Sequence, residues 1–286
     1  MEKTSKKRSQ LREVWMRLRK NHSAMLGLAM FAVIVLVAIY AAFFVDYDTV
    51  ITLDIANKLQ APSAEHWLGT DGYGRDLLAR LMYGAQISLT IGLVAAAGAL
   101  IVGGLIGSVA GFYGGLIDNV LMRIMDVLMS MPSLLLAIAV VASLGTGMIN
   151  IMISVAIPYV PVYARVIRSS ILSIRNKEFI ESARAIGTTD RRIIFKHIIP
   201  NAIGPVIVQE TLGVGSIIIN ASSLSFLGLG IAAPMPEWGA MLSEGREFIR
   251  YFPRLVMFPG LCIMLTVLSL NLLGDGLRDA LDPRLK

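Results

Sequence analysis

Apolar residues along this chain come in long unbroken runs separated by short polar stretches. The runs at 25–45, 86–110 and 255–273 each reach or approach the ~20 residues that cross a hydrocarbon core as a helix. They do not alternate apolar and polar positions, so helices rather than barrel strands follow. Six spans are predicted, at 25–45, 88–110, 117–144, 149–166, 202–227 and 255–273. The expected fold class is all-α: a polytopic membrane protein with six transmembrane helices and no soluble domain of its own.

Composition agrees. The chain is 55% hydrophobic and 16% charged, with a mean hydropathy of +0.68. Soluble domains are roughly half apolar and about a quarter charged. The basic stretch from Lys3 to Lys20 precedes an apolar run longer than the ~7–15 residues of a signal core, so it reads as a retained first span. The single cysteine, Cys262, lies inside an apolar run, which excludes a disulfide framework and points to packing.

Charge then sets orientation, because cytoplasmic loops are enriched in Lys and Arg. The N-terminal tail carries Lys3, Lys6, Lys7, Arg8, Arg12, Arg17, Arg19 and Lys20. The loop after the fourth span carries Arg168, Arg175, Lys177, Arg184, Arg191, Arg192 and Lys196. The loop after the first span is acidic, with Asp46, Asp48, Asp54, Glu65, Asp71 and Asp76. The expected organisation is a cytoplasmic tail at 1–24, a first span at 25–45, an external loop at 46–85 and a five-helix core at 86–275. The core holds a cytoplasmic loop at 168–200 and an external amphipathic segment at 232–252; a cytoplasmic tail at 276–286 follows. The net charge of +6 therefore speaks to topology before nucleic acid.

Catalytic chemistry finds little footing. The sequence has no Gly-x-x-x-x-Gly-Lys-Ser/Thr phosphate loop, so the chain is not expected to be an enzyme or to hydrolyse ATP itself. The glycine-rich stretch Gly69-Thr-Asp-Gly-Tyr-Gly74 reads as a turn in the acidic loop. His22, His66 and His197 fall in separate segments on different sides of the membrane, so no metal site is expected.

Polar residues inside the spans carry more weight, since an ionisable group in lipid is costly. Glu210 and Asn220 in the fifth span are candidates for the translocation pathway, with interhelical hydrogen bonding as the other reading of Glu210. Arg123 and Asp126, three apart, are expected to pair on one helix face near the cytoplasmic end. Gly103, Gly107, Gly111 and Gly115 repeat every four residues and form one stripe, which serves helix packing or marks a moving gate helix. The segment bearing Trp238 and Phe248 is expected to lie flat outside. With Asp71 and Asp76 it contributes an external docking surface, or else a solvated loop.

The basic loop has its own pattern. Phe179, Ile180, Ala183 and Ile186 fall at helical spacing and predict one apolar face. Asn176 caps that helix and Gly187 ends it. Thr188, Thr189 or Asp190 caps a second, basic helix, and Pro200 marks entry to the fifth span. Residue chemistry alone leaves two readings open: a surface helix that binds anionic headgroups, or one gripped by a protein.

The motif Glu181-Ser-Ala-Arg-Ala-Ile-Gly187, nine residues, then His197-Ile-Ile-Pro200 resembles the coupling loop of type I ATP-binding-cassette importer permeases. Ser182 stands where the family has its second alanine, His197 at the usual isoleucine and Ile199 at the usual leucine. His66-Trp-Leu-Gly-Thr-Asp-Gly-Tyr-Gly-Arg-Asp76, Gly111-Phe-Tyr-Gly-Gly115, Pro236-Glu-Trp-Gly-Ala-Met-Leu242 and the stretch 271–283 resemble dipeptide, oligopeptide and nickel permeases of the "C" type. The resemblance implies the type I importer permease fold and a permease subunit forming the pathway for di- or oligopeptides. It assigns ATPase coupling to Phe179, Glu181, Ser182, Ala183, Ile186, Gly187, His197 and Pro200. It implies a paralogous permease in a heterodimer, two ATP-binding subunits and an external substrate-binding protein, all at the cell membrane. ATP and Mg are used by the partner subunits, and no cofactor is bound by this chain. Nickel or a metal chelate is the alternative substrate. An ATP-independent channel or secondary transporter is the alternative of another class, and would need inverted repeats or midplane charges.

Overall fold

The structure, a computed structural model, describes residues 10–281 apart from the side chains of Gln10, Leu11, Arg184, Arg191 and Phe195. Lys3, Lys6, Lys7 and Arg8 of the tail and residues 282–286, to which expectations above apply, lie outside the described residues. Helices dominate: α1 (Gln10–Leu18), α2 (His22–Phe44), α3 (Leu77–Tyr113), α4 (Gly115–Met129), α5 (Ser133–Leu144), α6 (Met148–Leu172), α7 (Glu178–Ala185), α8 (Ile199–Phe226), α9 (Trp238–Gly245) and α10 (Arg254–Leu281). Among the described residues α2, α3, α6, α8 with its lead-in from Lys196, and α10 are long and apolar enough to cross a membrane.

The third expected span departs from a single helix. α4 and α5 meet at an angle of 91°, with Ser130, Met131 and Pro132 between them. Proline disfavours helical conformation in the residue before it and supplies no N–H of its own, so the chain turns there. Six spans result only if this bent pair counts as one.

Two boundaries also move. α3 starts at Leu77 rather than within a loop reaching 85, because Asp76 caps it, its Oδ1 accepting from the Ala79 N–H at 2.7 Å. Its 37 residues make about 55 Å of helix at ~1.5 Å per residue, well beyond a ~30 Å hydrocarbon core. α10 likewise runs on to Leu281, into the stretch expected to be tail.

Contacts fix which ends lie together. Asn21 before α2 donates to Asp279 near the end of α10 at 3.4 Å, and Gly204 near the start of α8 packs by Leu281. Both described termini therefore share an end with α7 and the start of α8. At the opposite end Arg254 at the start of α10 donates to the Gln60 carbonyl at 2.6 Å, which joins the loop 46–76 to the segment 228–253. This grouping of ends matches the one the basic residues predict.

Part of the glycine stripe is a seam. A Cβ on Gly103, Gly107 or Gly111 would press on the backbone carbonyls of Val160, Ala164 and Arg168 respectively. These partners also repeat every four residues, so α3 and α6 meet backbone to backbone. Gly115 leaves the stripe: it opens α4 at φ +58°, with open space where a side chain would be. Gly107→Val is expected to cost several kcal/mol, in the range of severe overpacking. Gly98→Ala, on the same helix with nothing near its Cβ, is expected to be neutral or stabilising by ~0.5–1 kcal/mol. Thermal unfolding of both variants in detergent checks this, and equal midpoints would remove the seam's importance.

Candidate functional site

α7 lies at the end shared by the termini, and its residues divide between two environments. Ile180 and Ala183 are buried in a cluster with Phe112, Ile167, Ile171, Ile174, Ile193, Ile198 and Ala202. Phe179 and Ile186 are 42% and 82% exposed, and Glu181 and Ser182 are exposed beside them. The single apolar face expected from spacing is thus two faces. One is buried by the chain at 193–198, in a cluster that takes in the ends of α3, α6 and α8, and the other is left outward.

Local chemistry sets the bounds of α7. The helix opens at Glu178, with the Lys177 carbonyl accepting from the Ile180 N–H at 2.8 Å, so Asn176 stands ahead of the cap position rather than in it. Gly187 has φ +76°, and the Thr188 N–H reaches back to the Ala183 carbonyl at 3.1 Å. This is the left-handed helix ending for which glycine is suited. Thr189 then takes the next cap position without a side-chain hydrogen bond.

The chain from Ile193 to Ile198 forms a π-helical turn before α8. Pro200 explains it. A proline ring clashes with the carbonyl four residues earlier, and a widened turn relieves that clash. Pro200 sits at the entry to α8, where it was expected. The carbonyl of the half-buried His197 accepts from Asn201 Nδ2 at 2.7 Å.

Further polar contacts hold this end together. Arg168 of α6 makes a two-pronged bond to Asp118 of α4, at 2.5 and 2.6 Å, the fork geometry that suits guanidinium and carboxylate. Arg175 Nη1 donates to the Gly111 carbonyl at 3.0 Å. Asp126 pairs with Arg165 of α6 at 2.5 Å, not with Arg123; a partner across the helix interface displaces the one three residues away.

At the opposite end the three residues expected to form a docking surface have internal partners. Trp238 is 2% exposed, its Nε1 donating to the Leu81 carbonyl at 3.0 Å. Asp71 is buried in a four-charge cluster. Arg75 bonds Asp71 at 2.7 Å and Glu244 at 2.6 Å, and Arg80 bonds Glu244 at 3.0 Å and lies 3.3 Å from Asp71. Asp76 caps α3 and meets His66 Nδ1 at 2.8 Å. In the segment expected to lie flat outside, α9 packs against α3, α8 and α10. Glu237, 1% exposed, caps α9 by accepting from the Gly239 and Ala240 N–H groups at 2.9 and 2.8 Å. Burial pushes its carboxyl above the ordinary range, against those two donors and the Ser88 hydroxyl.

The two pathway candidates lie on α8. Asn220 donates to the Tyr159 hydroxyl at 3.0 Å, and Glu210 lies against the buried Tyr163. The sequence reading missed the isoleucines 174, 193 and 198 that seat α7. Ile167, Ile171 and Ile174, spaced by four and three, were the available signal.

The chain is 50% identical over 275 residues to the dipeptide transport system permease protein DppC of Alkalihalophilus pseudofirmus, covering 96% of this chain and 90% of the relative. It is 44% identical over 279 residues to the glutathione transport system permease protein GsiD of Pectobacterium atrosepticum, covering 98% and 93%. Among solved structures, the inward-facing MetNI methionine ABC transporter superposes with a TM-score of 0.58 at 17% identity, over 71% of this chain and 96% of that one, a likeness of fold alone. Residues 9–62 match the N-terminal transmembrane domain of oligopeptide transport permease C. Residues 103–286 match the family described as the binding-protein-dependent transport system inner membrane component, and with these relatives the chain belongs to that family.

Proposed function

We propose that this chain is the permease subunit that forms half of the translocation pathway of a peptide importer and receives mechanical work through α7. The observation that carries the coupling role is the division of α7. Phe179, Glu181, Ser182 and Ile186 face outward, while Ile180 and Ala183 are buried by the π-helical lead-in to α8, in a cluster that reaches α3 and α6. A partner gripping the outer face pulls first on the lead-in to α8 and, through the cluster, on α3 and α6. Gly187 fixes where the helix stops, and Pro200 with the half-buried His197 fixes how the chain enters α8.

The partners are two ATP-binding subunits at α7 and its counterpart on a paralogous permease, with a substrate-binding protein at the opposite end. ATP and Mg are held by the partners, and this chain contributes no ATPase site. The end with both termini and α7 is cytoplasmic, as its basic residues favour. The docking surface for the binding protein passes from Asp71 and Trp238, both buried, to exposed neighbours such as Trp67 and Tyr251. Peptide as substrate rests on the dipeptide and glutathione relatives.

Affinity purification from the native membrane in mild detergent, with mass spectrometry, tests the assembly. Recovery of a second permease and phosphate-loop ATPases is expected. Recovery of this chain alone, in a detergent that preserves importers, would overturn the reading.

A further inference from the structure

Three charged side chains on α4 and α6 are left uncovered by the chain's own packing. Arg165 of α6 donates to Asp126 of α4 at 2.5 Å, yet the two side chains are 47% and 45% exposed. Arg123, also exposed, lies three residues before Asp126 on the same helical face, and no carboxylate among the described residues pairs with it. Two guanidinium groups and one carboxylate leave this cluster with a net charge of +1. Ionisable groups in spanning segments face a water-filled cavity or a partner, not hydrocarbon.

The backbone of the same element gives a second, independent sign. Of the fifteen residues of α4 only Asp118 and Met125 are buried. The helix ends in the 91° break, where Met129, Ser130, Met131, Pro132 and Ser133 are all exposed, and Pro132 offers α5 no side-chain cap. Interrupted backbone at membrane depth is tolerated where it is buried in protein or lines a wet cavity. Discontinuous helices are also where transporters commonly build substrate contacts.

We propose that this face of α4, together with Arg165, lines the translocation pathway, and that Arg123 beside the Arg165–Asp126 pair receives the free carboxylate of a peptide in transit. The proposal rests on the peptide reading above. The guanidinium fork matches a carboxylate, and Asp126 offers a counterpart for a peptide's ammonium group. The Arg165–Asp126 side chains are about half exposed on this chain, so in a water-filled pathway each contact is screened and weak, as passage requires. The other occupant the chemistry admits is a carboxylate of the partner permease.

The test uses the complete importer in liposomes, comparing uptake of dialanine with that of its C-terminal amide. Arg123→Gln is expected to lower the acid-to-amide uptake ratio about fivefold relative to wild type, ~1 kcal/mol, and Arg123→Lys to restore part of it. An unchanged ratio, or loss of the partner permease on purification, overturns the proposal. A second measurement starts from Cys262→Ser, which removes the sole cysteine, and adds Arg123→Cys. In the assembled importer the introduced thiol is expected to react with a charged, membrane-impermeant reagent and to be protected by excess dialanine. No reaction overturns the pathway assignment. A wild-type importer that moves no dipeptide overturns the peptide reading and the carboxylate assignment with it, while the thiol reactivity decides the pathway assignment separately.

Discussion

Glu181→Lys and Ile186→Asp, made singly, are expected to abolish uptake and weaken ATPase association by about 30- to 1,000-fold, while the chain still reaches the membrane. Both side chains are exposed on α7, so the fold does not depend on them; surface substitutions of this kind usually change stability by no more than ~0.5 kcal/mol. At an interface, by contrast, a central contact contributes ~2–4 kcal/mol, which corresponds to that loss of affinity. Ile180→Asp is the informative contrast. Ile180 is fully buried, and a carboxylate there would lift α7 from its seat and lower the chain's own stability. Co-purification of the ATPases, uptake and thermal unfolding separate the two outcomes. Normal uptake in both exposed-face variants would sink the coupling assignment.

Arg80→Met is expected to cost about 3–5 kcal/mol, the usual result of removing one member of a buried ion cluster. Arg80 is fully buried, and besides Glu244 and Asp71 it reaches the carbonyls of Val50 and Pro234 at 3.2 and 3.3 Å. It joins three stretches of chain that are far apart in sequence. Its loss leaves Asp71 and Glu244 with Arg75 alone, one uncompensated negative charge in a buried site. Removing Glu244 as well, in Arg80→Met with Glu244→Leu, rebalances the cluster and is expected to recover part of the loss. Thermal unfolding in detergent reads both variants. A single variant within ~1 kcal/mol of wild type would show that the cluster has little part in stability.

These two regions differ in how far they could be read beforehand. The apolar runs, the glycine seam and the grouping of ends follow from periodicity and charge, which are local properties. The glycine that ends α7 and the proline at the entry to α8 were legible for the same reason, as each imposes a backbone constraint where it stands. Burial was not. Arg75, four residues from Asp71, was within reach of a local reading, but the Leu81 carbonyl that takes the Trp238 N–H, and the Glu244 that Arg75 and Arg80 share, are brought near only by folding. Asp76, expected to contribute to docking, also caps α3, a role its place directly before the helix makes possible. The helical spacing of Arg123 and Asp126 was sound, but Arg165, 39 residues on from Asp126, takes the carboxylate. The break at Pro132 was visible as a proline inside an apolar run, and a reading of length alone passed over it.

The seam between α3 and α6 has a mechanical meaning. Where two helices touch through glycine and carbonyl oxygen, no side chain can change rotamer to absorb displacement, and sliding one helix along the other drives backbone into backbone at every turn. The two therefore act as a single stiff plank. On the proposed coupling role, force entering at α7 is expected to tilt that plank as a whole, with flexing at the interruptions of the helical ladder: the 3-10 turn Ile157–Tyr159 within α6, the corner at Ser130–Met131–Pro132 and the glycine pair at Gly145 and Gly147, both with positive φ.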